Sequence, residues 1–340
     1  MNERFLSAFR GKRILVTGGT GSIGGEIVAQ LLRYEPGVVR ILSRNENNQF
    51  QAWNRLRHHG NVRFLLGDIR DKERLARAVE GVDLVFHAAA LKHVPLCEYN
   101  PFEAVRTNVL GTQNLIEVSL DHDVERLVAI NTDKSVSPIN TMGATKLLAE
   151  KLIGAASLYK GPHPTICANV RFGNVIGSNG SVLPLFVEQV RRGGPLTVTD
   201  PEMVRFFMTI PQAVTLVLEA ALRATGGETF ILKMPVMRVI DLAHVVAELL
   251  APGVEIPILT TGIRPGEKLH EELMTEEEAL IAEEFEDMFM VRPWGTPPDV
   301  GVSAPLSTRH ATLMTRDEIK DYLIRHRLIE PVRSNVALVA

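Results

Sequence analysis

Short apolar runs alternate with longer amphipathic stretches over the first 175 residues of the chain. This alternation is typical of βαβ units, in which helices connect the strands of a parallel sheet. The runs predict six strands, at Arg13–Thr17, Val38–Leu42, Val62–Leu66, Leu84–His87, Arg126–Ile130 and Ile166–Val170. The intervening helices are predicted to begin near Ile23, Lys72, Ala104 and Met142. Several strands are almost entirely apolar, which indicates an α/β fold with a doubly wound parallel sheet covered by helices on both faces.

The alternation loosens after Gly173, where glycine-rich segments at 177–181 and 191–195 predict loops. Val204–Ala224 predicts one more helix of the main layer, and the acidic run at 276–287 predicts a solvated helix face.

The predicted organisation is therefore one large α/β domain with a smaller C-terminal lobe. The large domain is predicted to span residues 1–175, with 207–228 returning to it. The smaller lobe is predicted to consist of residues 176–206 and 229–340.

Composition narrows the class of protein without deciding its chemistry. Of the 340 residues, 45% are hydrophobic and 23% charged, as in ordinary globular proteins, and a net charge of -3 does not favour nucleic acid as a partner. Two cysteines, Cys97 and Cys167, make a disulfide framework or a thiolate zinc site implausible, so no metal site is predicted. The N-terminus lacks the apolar core of a signal peptide, and no stretch reaches the roughly 20 apolar residues of a membrane span. We therefore expect a cytoplasmic protein without membrane insertion.

A glycine-rich turn follows the first predicted strand and reads Thr17-Gly18-Gly19-Thr20-Gly21-Ser22-Ile23-Gly24. Gly18 permits the tight turn, Gly21 lets the backbone approach a pyrophosphate, and Gly24 lets helix and strand pack closely. The pyrophosphate would bind to N–H groups at the positive end of the helix. In a βαβ setting this pattern predicts a Rossmann-type dinucleotide site, with Thr20, Ser22 and Ile23 also contacting the cofactor.

The end of the second strand indicates which dinucleotide is bound. It reads Ser43-Arg44-Asn45, whereas NAD-binding versions place an acidic residue there for the ribose hydroxyls. The Arg44 guanidinium suits a 2′-phosphate, so NADP is predicted, with NAD as the other possibility. Asp68, followed by Ile69 after the third strand, is a candidate acceptor for the adenine amino group. Its other interpretation is a cap for the helix near Lys72.

Further motifs resemble the extended short-chain dehydrogenase/reductase superfamily, and within it the UDP-N-acetylglucosamine 4,6-dehydratases of bacterial polysaccharide and glycan pathways. The resemblance covers nearly the whole chain. Its motifs are Thr17–Gly24, His87–Pro95, Thr132–Lys134, Gly143–Lys146, Arg171–Val175, Gly180–Val182 and Gly262–Lys268. It implies a nucleotide-sugar lyase that oxidises C4, eliminates water across C5 and C6 and returns the hydride to C6, with the cofactor regenerated in place.

The catalytic residues implied by the resemblance follow the fifth strand. Asp133 is the implied acid for the C6 hydroxyl and Lys134 the implied base at C5, because an elimination needs one group of each kind. Residue types alone favour an ordinary turn pair at a strand end, and the resemblance reverses this preference.

Met142 stands four residues before Lys146, where the wider superfamily has a Tyr-x-x-x-Lys pair. A thioether is neither an acid nor a base, so the usual base for oxidation at C4 is missing. Some members of the resembling branch also carry methionine here. Thr132, an ordered water, or Asp133 acting twice remain candidates for taking the C4 proton, while Lys146 is the implied partner of the nicotinamide ribose.

The remaining site residues come from the same resemblance and from their places on predicted elements. Ala88, Ala89 and Asn108 are assigned to the cofactor site, where the alanines are small enough for a cofactor to lie close to the backbone and Asn108 holds a strand end. Lys92 is implied to contact cofactor or substrate. Val175 is assigned to the cofactor. The C-terminal lobe is implied to bind the UDP-sugar through Asn174, Ser181, Val182, Thr199, Arg205, Arg264 and Glu267.

Three other functions remain open at this point. A 4,6-dehydratase that also inverts C5 shares the methionine, a UDP-sugar 4-epimerase shares the fold, and a non-catalytic NADP-binding protein would explain the missing tyrosine. Relatives of this branch form dimers or larger rings, so a homo-oligomer is expected.

Overall fold

The computed structural model describes residues 2–293, 295–297, 301–302 and 306–332. Its α-helices are α1 (Glu3–Phe9), α2 (Ser22–Leu31), α3 (Glu46–Leu56), α4 (Lys72–Val79), α5 (Val94–Tyr99), α6 (Pro101–Ala104), α7 (Gly111–Asp121), α8 (Thr141–Tyr159), α9 (Val182–Arg191), α10 (Ile210–Arg223), α11 (Val239–Leu250), α12 (Glu276–Ala279) and α13 (Arg316–Arg325). Its strands are β1 (Arg13–Thr17), β2 (Val38–Ser43), β3 (Val62–Leu66), β4 (Leu84–His87), β5 (Arg126–Thr132), β6 (Ile166–Phe172), β7 (Asn174–Ile176), β8 (Leu196–Val198), β9 (Val204–Thr209), β10 (Thr229–Leu232), β11 (Val236–Arg238), β12 (Ile258–Thr260), β13 (Ala282–Glu284) and β14 (Met288–Val291). Short 3₁₀ turns lie at Leu32–Tyr34 and Asp133–Ser135, and Val105–Leu110 is a π-helix between α6 and α7.

A nine-stranded sheet has the order β13-β14-β10-β6-β5-β4-β1-β2-β3. Neighbours from β10 to β3 are parallel, and β14 and β13 add antiparallel strands at one edge. The strand order reverses between β1 and β4, which is where open α/β sheets bind ligands, outside the carboxyl ends of the strands. The predicted Rossmann-type, doubly wound α/β fold is confirmed.

The apolar character of the central strands follows from helices on both faces of the sheet. Leu15 of β1, Val85 of β4 and Leu127 of β5 are buried in one cluster with Leu75 of α4 and Leu115 of α7. All six predicted strands are present, and β5 and β6 each extend two residues further than predicted, to Thr132 and Phe172.

The chain forms two compact units. The first comprises the described residues within 1–172, 211–233 and 273–306, and contains the nine-stranded sheet. The second comprises those within 173–210, 234–272 and 307–340. It contains the small sheets β11-β9-β7 and β12-β8, and its core includes Phe186, Phe207, Leu242 and Leu323.

The predicted boundaries of the smaller lobe were wrong in four places, since residues 173–175 and 207–210 lie in the second unit and two further segments lie in the first. Residues 229–233 and 273–306 belong to the first unit, because β10 pairs with β6 and β14 pairs with β10. These pairings join segments far apart in sequence, which local periodicity cannot reveal. The returning segment is accordingly 211–233 instead of 207–228.

The prediction of a helix over Val204–Ala224 was also wrong for its first six residues. Residues 204–209 form the fully buried strand β9, and α10 starts at Ile210 with Pro211 in its first turn. A buried strand that runs directly into a buried helix leaves no polar break between the two patterns.

The acidic run at 276–287 is not a solvated helix face. Only Glu276–Ala279 is helical, and the chain continues into β13. Within the run, Glu278 forms an ion pair with the buried Arg171, with 2.8 Å between its Oε2 and Arg171 Nη1.

Candidate active site

The glycine turn between β1 and α2 has a geometry that side chains would obstruct. Gly18 has φ +66°, and a Cβ there would lie 2.7 Å from the backbone nitrogen of Ala89. A Cβ on Gly24 would meet the carbonyl oxygen of Gly18, to which Gly21 N–H donates at 2.9 Å. Ser22 and Ile23 begin α2, and the N-cap residue before them is Gly21, which has no side chain to offer as a cap. The turn therefore leaves bare backbone at the positive end of a helix, a place that suits a pyrophosphate.

The ends of β2 and β3 carry polar groups close to this turn. The Thr20 hydroxyl donates to Ser43 Oγ at 2.8 Å, which joins the glycine turn to the end of β2. Arg44 is half-exposed, with its Nη1 3.6 Å from Asp68 Oδ2. The Asn45 side chain accepts from Asn48 N–H at 2.9 Å and so caps α3.

Asp68 does not cap α4, so the capping interpretation was wrong. The cap is Asp71, whose carboxylate accepts from Arg74 N–H at 2.9 Å. Partial burial raises the pKa of Asp68, but hydrogen bonds and charge from Arg70, with the charge of Arg44, bring that pKa below its usual value. Asp68 is thus an anionic side chain beside Arg44, and the next residue, Ile69, is buried in the core.

The segment after β4 is held by one asparagine side chain. Asn108, in the π-helix, accepts from Leu91 N–H at 2.8 Å and donates to Leu91 O and Thr145 Oγ1, both at 3.0 Å. It therefore fixes the backbone that follows Ala88 and Ala89. Burial lowers the pKa of the neighbouring Lys92.

A buried histidine lies beneath this segment and was not singled out from the sequence. His87 Nδ1 is 2.7 Å from Thr17 Oγ1, and its Nε2 is 3.0 Å from Thr112 Oγ1. Desolvation, with the positive charge of Lys146, lowers its pKa to about 3. His87 is therefore neutral and links the ends of β1 and β4 to α7.

Thr132, Asp133 and Lys134 are brought together where β5 ends. Asp133 is fully buried, and its Oδ1 accepts from Thr132 Oγ1 at 2.7 Å and from Lys134 Nζ at 3.1 Å. Its Oδ2 has no hydrogen-bond partner among the residues that the structure describes. A buried carboxyl oxygen without a partner is costly in a structural role, so this turn is a candidate for binding a ligand group.

Lys146 and Met142 lie one turn apart on α8, which Asn140 caps. Lys146 is 9% exposed, its Nζ donates to Ile130 O at 2.6 Å, and desolvation lowers its pKa to about 8 although Glu150 opposes this. Met142 is buried in a small apolar cluster with Cys97 and Ala104. A methionine packed in this way offers neither a proton nor a base.

The residues implied to bind the sugar nucleotide lie, apart from Lys92, in the second unit. Asn174 is in β7, Ser181 precedes α9 and Val182 begins it. Val175, which was assigned to the cofactor, also lies in β7 and therefore in the second unit. Ser181 Oγ is buried with no hydrogen-bond partner in the described part of the chain, which leaves it available to a ligand.

Other members of this set already have partners within the second unit. Thr199 Oγ1 lies 3.2 Å from Met203 Sδ, and Glu267 Oε2 accepts from Arg264 N–H at 3.1 Å. Arg205 is buried, and it donates to Lys268 O at 2.7 Å and Leu269 O at 3.1 Å. Arg205 thereby holds the backbone of the Gly262–Lys268 motif, which its sequence position did not indicate.

Sequence reasoning also missed a buried polar network next to the Asp133 turn. It comprises Asn131, Ser135, Glu150 and Arg171. The available signal was helical spacing, since Glu150 follows Lys146 by four residues and shares its face of α8.

No helix among the described residues combines the length and the apolar character needed to cross a membrane.

The chain resembles characterised and uncharacterised proteins over most of its length. It is 54% identical over 328 residues to an uncharacterized membrane protein of Methanocaldococcus jannaschii, covering 95% of this chain and 98% of that protein. It is 42% identical over 287 residues to a UDP-N-acetylglucosamine 4,6-dehydratase (inverting) of Campylobacter jejuni, covering 84% of each. It is 39% identical over 281 residues to a UDP-glucose 4-epimerase of Rickettsia typhi, covering 82% of each.

Two solved structures have a fold similar to that of this chain. Pen from Bacillus thuringiensis superposes with a TM-score of 0.89 at 44% identity, covering 93% of this chain and 98% of that one. DesIV, a dTDP-glucose 4,6-dehydratase of Streptomyces venezuelae solved with NAD, superposes with a TM-score of 0.68 at 26% identity, covering 76% and 86%.

Residues 14–293 match the family described as polysaccharide biosynthesis protein. The resemblance to the UDP-N-acetylglucosamine 4,6-dehydratases within the extended short-chain dehydrogenase/reductases is confirmed. The chain belongs to the polysaccharide biosynthesis protein family.

Proposed function

We propose that this protein is an NADP-dependent nucleotide-sugar 4,6-dehydratase that converts UDP-N-acetylglucosamine, or a close UDP-hexose, to a 4-keto-6-deoxy sugar. The observation that carries this proposal is the buried Asp133 carboxyl, in contact with Thr132 and Lys134 at the carboxyl end of β5. An epimerase inverts C4 and has no step that needs such an acid–base pair. The 42% identical Campylobacter dehydratase supports the same choice.

The glycine turn fits a nicotinamide dinucleotide. The spaces that a Cβ at Gly18 or Gly24 would fill are bounded by backbone atoms, so only glycine leaves the turn open to a pyrophosphate. Arg44 would bind the 2′-phosphate, with Asp68 orienting its guanidinium. When bound, the dinucleotide supplies the reversible hydride transfer that oxidises C4 and later reduces C6.

The Asp133–Lys134 contact offers a physical route to an acid and a base in one site. The proton of the C4 hydroxyl, delivered to the Asp133 carboxylate during oxidation at C4, would leave Asp133 as a carboxylic acid. Lys134, whose Nζ lies 3.1 Å from Asp133 Oδ1, would act beside it as a neutral amine. Lys134 would then remove the C5 proton of the 4-keto sugar while Asp133 protonates the leaving C6 hydroxyl, and one water is lost.

The C4 hydroxyl proton needs another acceptor because Met142 cannot take it. We assign this step to the Thr132 hydroxyl, which donates to Asp133 Oδ1 at 2.7 Å and so can pass a proton to that carboxylate. The two groups would replace the missing tyrosine as a short relay. Lys146 would bind the nicotinamide ribose, and the residues of the second unit would bind the UDP group.

The test is mass spectrometry and NMR of the product formed from UDP-N-acetylglucosamine in deuterated water. A dehydratase product has lost one water and carries one deuterium at C5, and the configuration at C5 separates retention from inversion. A 4-epimerase, which the Rickettsia relative favours, would leave the mass unchanged and incorporate no deuterium. Bound NADP without turnover of any UDP-hexose would refute the proposal.

Asp133→Asn should lower the dehydration rate by about 10²–10⁴-fold, because the amide cannot donate a carboxyl proton. Asp71→Asn is the matched control, since asparagine caps a helix as well as aspartate does and Asp71 caps α4. Equal rates for Asp133→Asn and the control would remove Asp133 from the mechanism.

A further inference from the structure

A buried carboxylate on α8 connects the face of that helix that carries Lys146 with residues 132–135, which contain the proposed catalytic groups and are called the catalytic turn below. Glu150 is 5% exposed and lies in the first unit, as do β5, β6 and α12. Its Oε2 accepts from Asn131 Nδ2 at 2.5 Å and from Arg171 Nε at 3.2 Å, and lies 3.4 Å from Ser135 Oγ. Its Oε1 accepts from Arg171 Nη2.

These contacts determine how the Asn131 amide is oriented. Its Nδ2 donates to Glu150 and, at 3.3 Å, to Lys146 O. Its Oδ1 consequently faces the other way and accepts from Thr132 N–H at 3.0 Å. Ser135 closes the same turn, with its Oγ 2.6 Å from Thr132 O. Asn131 and Ser135 therefore hold the backbone at Thr132 through hydrogen bonds. Asn131 and Ser135 in turn both contact Glu150.

We propose that Glu150 is a positioning residue, which orients Asn131 and Ser135 and thereby holds Thr132 and Asp133 in their reactive geometry. This inference rests on the proposed function only for its effect on turnover, since the hydrogen-bond geometry is independent of the reaction. The hydrogen bonds of the Glu150 carboxylate among the described residues go to Asn131, Ser135 and Arg171 and not to Asp133. Glu150 therefore affects the position of Asp133 only through Asn131 and Ser135.

The chemistry of the groups around Glu150 explains why a carboxylate is needed. Asn131 Nδ2, Arg171 Nε and Arg171 Nη2 are all donors, and they face two oxygens that only accept. Glutamine at position 150 would supply one accepting oxygen and one NH₂ group. If that oxygen took the place of Oε1, which faces Arg171 Nη2, the NH₂ group would face Asn131 Nδ2 and Arg171 Nε. The Asn131 amide would then turn and leave Thr132 N–H without its acceptor.

Glu278 provides a matched control within the same network. Its two oxygens accept from Arg171 Nη1 and Nη2 at 2.8 Å each, so Glu278→Gln removes the same charge beside the same guanidinium. Among the described residues, the side-chain oxygens of Glu278 accept hydrogen bonds from Arg171 and from Thr275 N–H of its own capping box, and none from residues 132–135. Any effect that comes only from an incompletely neutralised Arg171 should therefore be similar in both variants.

The experiment compares Glu150→Gln with Glu278→Gln in the full chain by three measurements. Glu150→Gln should lower kcat by about a hundredfold with little change in KM for the UDP-sugar, since small misplacements of reacting groups have effects of this size. Hydrogen exchange in peptides covering residues 130–136 should be faster in Glu150→Gln than in Glu278→Gln. The free energy of unfolding, measured with urea, should fall in both variants.

A second variant covers the case in which Glu150→Gln does not fold. Asn131→Ala leaves the Glu150–Arg171 ion pair in place and removes the bridge to Thr132, so it should reproduce both the loss of kcat and the faster exchange. Equal kcat and exchange for Glu150→Gln and Glu278→Gln, or an Asn131→Ala variant that matches the wild type, would overturn the inference. A wild-type protein that turns over no UDP-hexose would refute the proposed function alone, because the exchange comparison still decides the role of Glu150.

Discussion

The buried Lys146 ammonium should make the stability of this protein depend on pH in a way that a single substitution can isolate. Lys146 is 9% exposed and donates to Ile130 O, and desolvation lowers its pKa from 10.5 to about 8. Lys146→Met keeps an unbranched apolar chain at this position and removes the titrating group. The difference between the two proteins therefore reports on this one ionisation.

The sign follows from proton binding in the two states. Below pH 8 the lysine is charged in both the folded and the unfolded protein, and the folded state bears the desolvation cost. Between pH 8 and 10.5 the folded protein has lost this proton while the unfolded chain still holds it, so stability rises with pH. A fall in pKa from 10.5 to about 8 corresponds to about 3 kcal/mol in total, of which about 2 kcal/mol is gained by pH 9.5.

The assay is urea unfolding of wild type and Lys146→Met at pH 7 and pH 9.5. The free energy of unfolding of the wild type, relative to the variant, should increase by about 2 kcal/mol between the two pH values. Lys151→Met, on the exposed side of the same helix, corrects for the loss of one surface charge. A wild-type-minus-variant difference that is the same at both pH values would refute a depressed pKa at Lys146.

Two further predictions concern the dinucleotide site. Gly18→Ala should lower the free energy of unfolding by more than the roughly 1–2 kcal/mol expected for a left-handed backbone and should weaken NADP binding, because its Cβ would lie 2.7 Å from Ala89 N. Gly11 also has a left-handed backbone, with φ +72°, but no atom lies within 4 Å of an added Cβ. Gly11→Ala should therefore lower the free energy of unfolding by only the roughly 1–2 kcal/mol of the backbone term and leave NADP binding unchanged, as measured by urea and fluorescence titrations. Arg44→Ser should reduce the preference for NADP over NAD by about tenfold or more in paired binding titrations, as expected for a lost charge-assisted hydrogen bond, and an unchanged ratio would exclude Arg44 as the group that binds the 2′-phosphate.

Much of the fold could be predicted because the relevant information is local. The runs at Arg13–Thr17 and Leu84–His87 are apolar since helices cover both faces of the sheet, and their predicted bounds coincide with β1 and β4. Asp133 and Lys134 directly follow the fifth predicted strand. Ligands bind at the carboxyl ends of parallel strands, which led to the prediction that these two residues lie at a ligand site.

Pairings between distant segments were outside the reach of the sequence pattern. The strands β13 and β14 join the large sheet through β10, which placed residues 273–306 in the first unit. Glu278, in an acidic run that resembles a solvated surface, binds Arg171 from 107 positions away. A run of carboxylates has the same sequence pattern whether water solvates the carboxylates or a buried guanidinium neutralises one of them.

By itself the sequence determined the order of the six strands in the first 175 residues, the glycine turn at Gly18, and the presence of Asp133, Lys134 and Lys146 next to predicted strand and helix ends. Only the tertiary structure decided which carboxylate caps α4, that Arg205 binds backbone carbonyls, and that Glu150 contacts Asn131 and Ser135 beside Asp133. The physical reason is that periodicity and turn chemistry depend on neighbours along the chain. Burial, charge neutralisation and hydrogen-bond partners depend instead on neighbours in space, and those are set only when the sheet assembles.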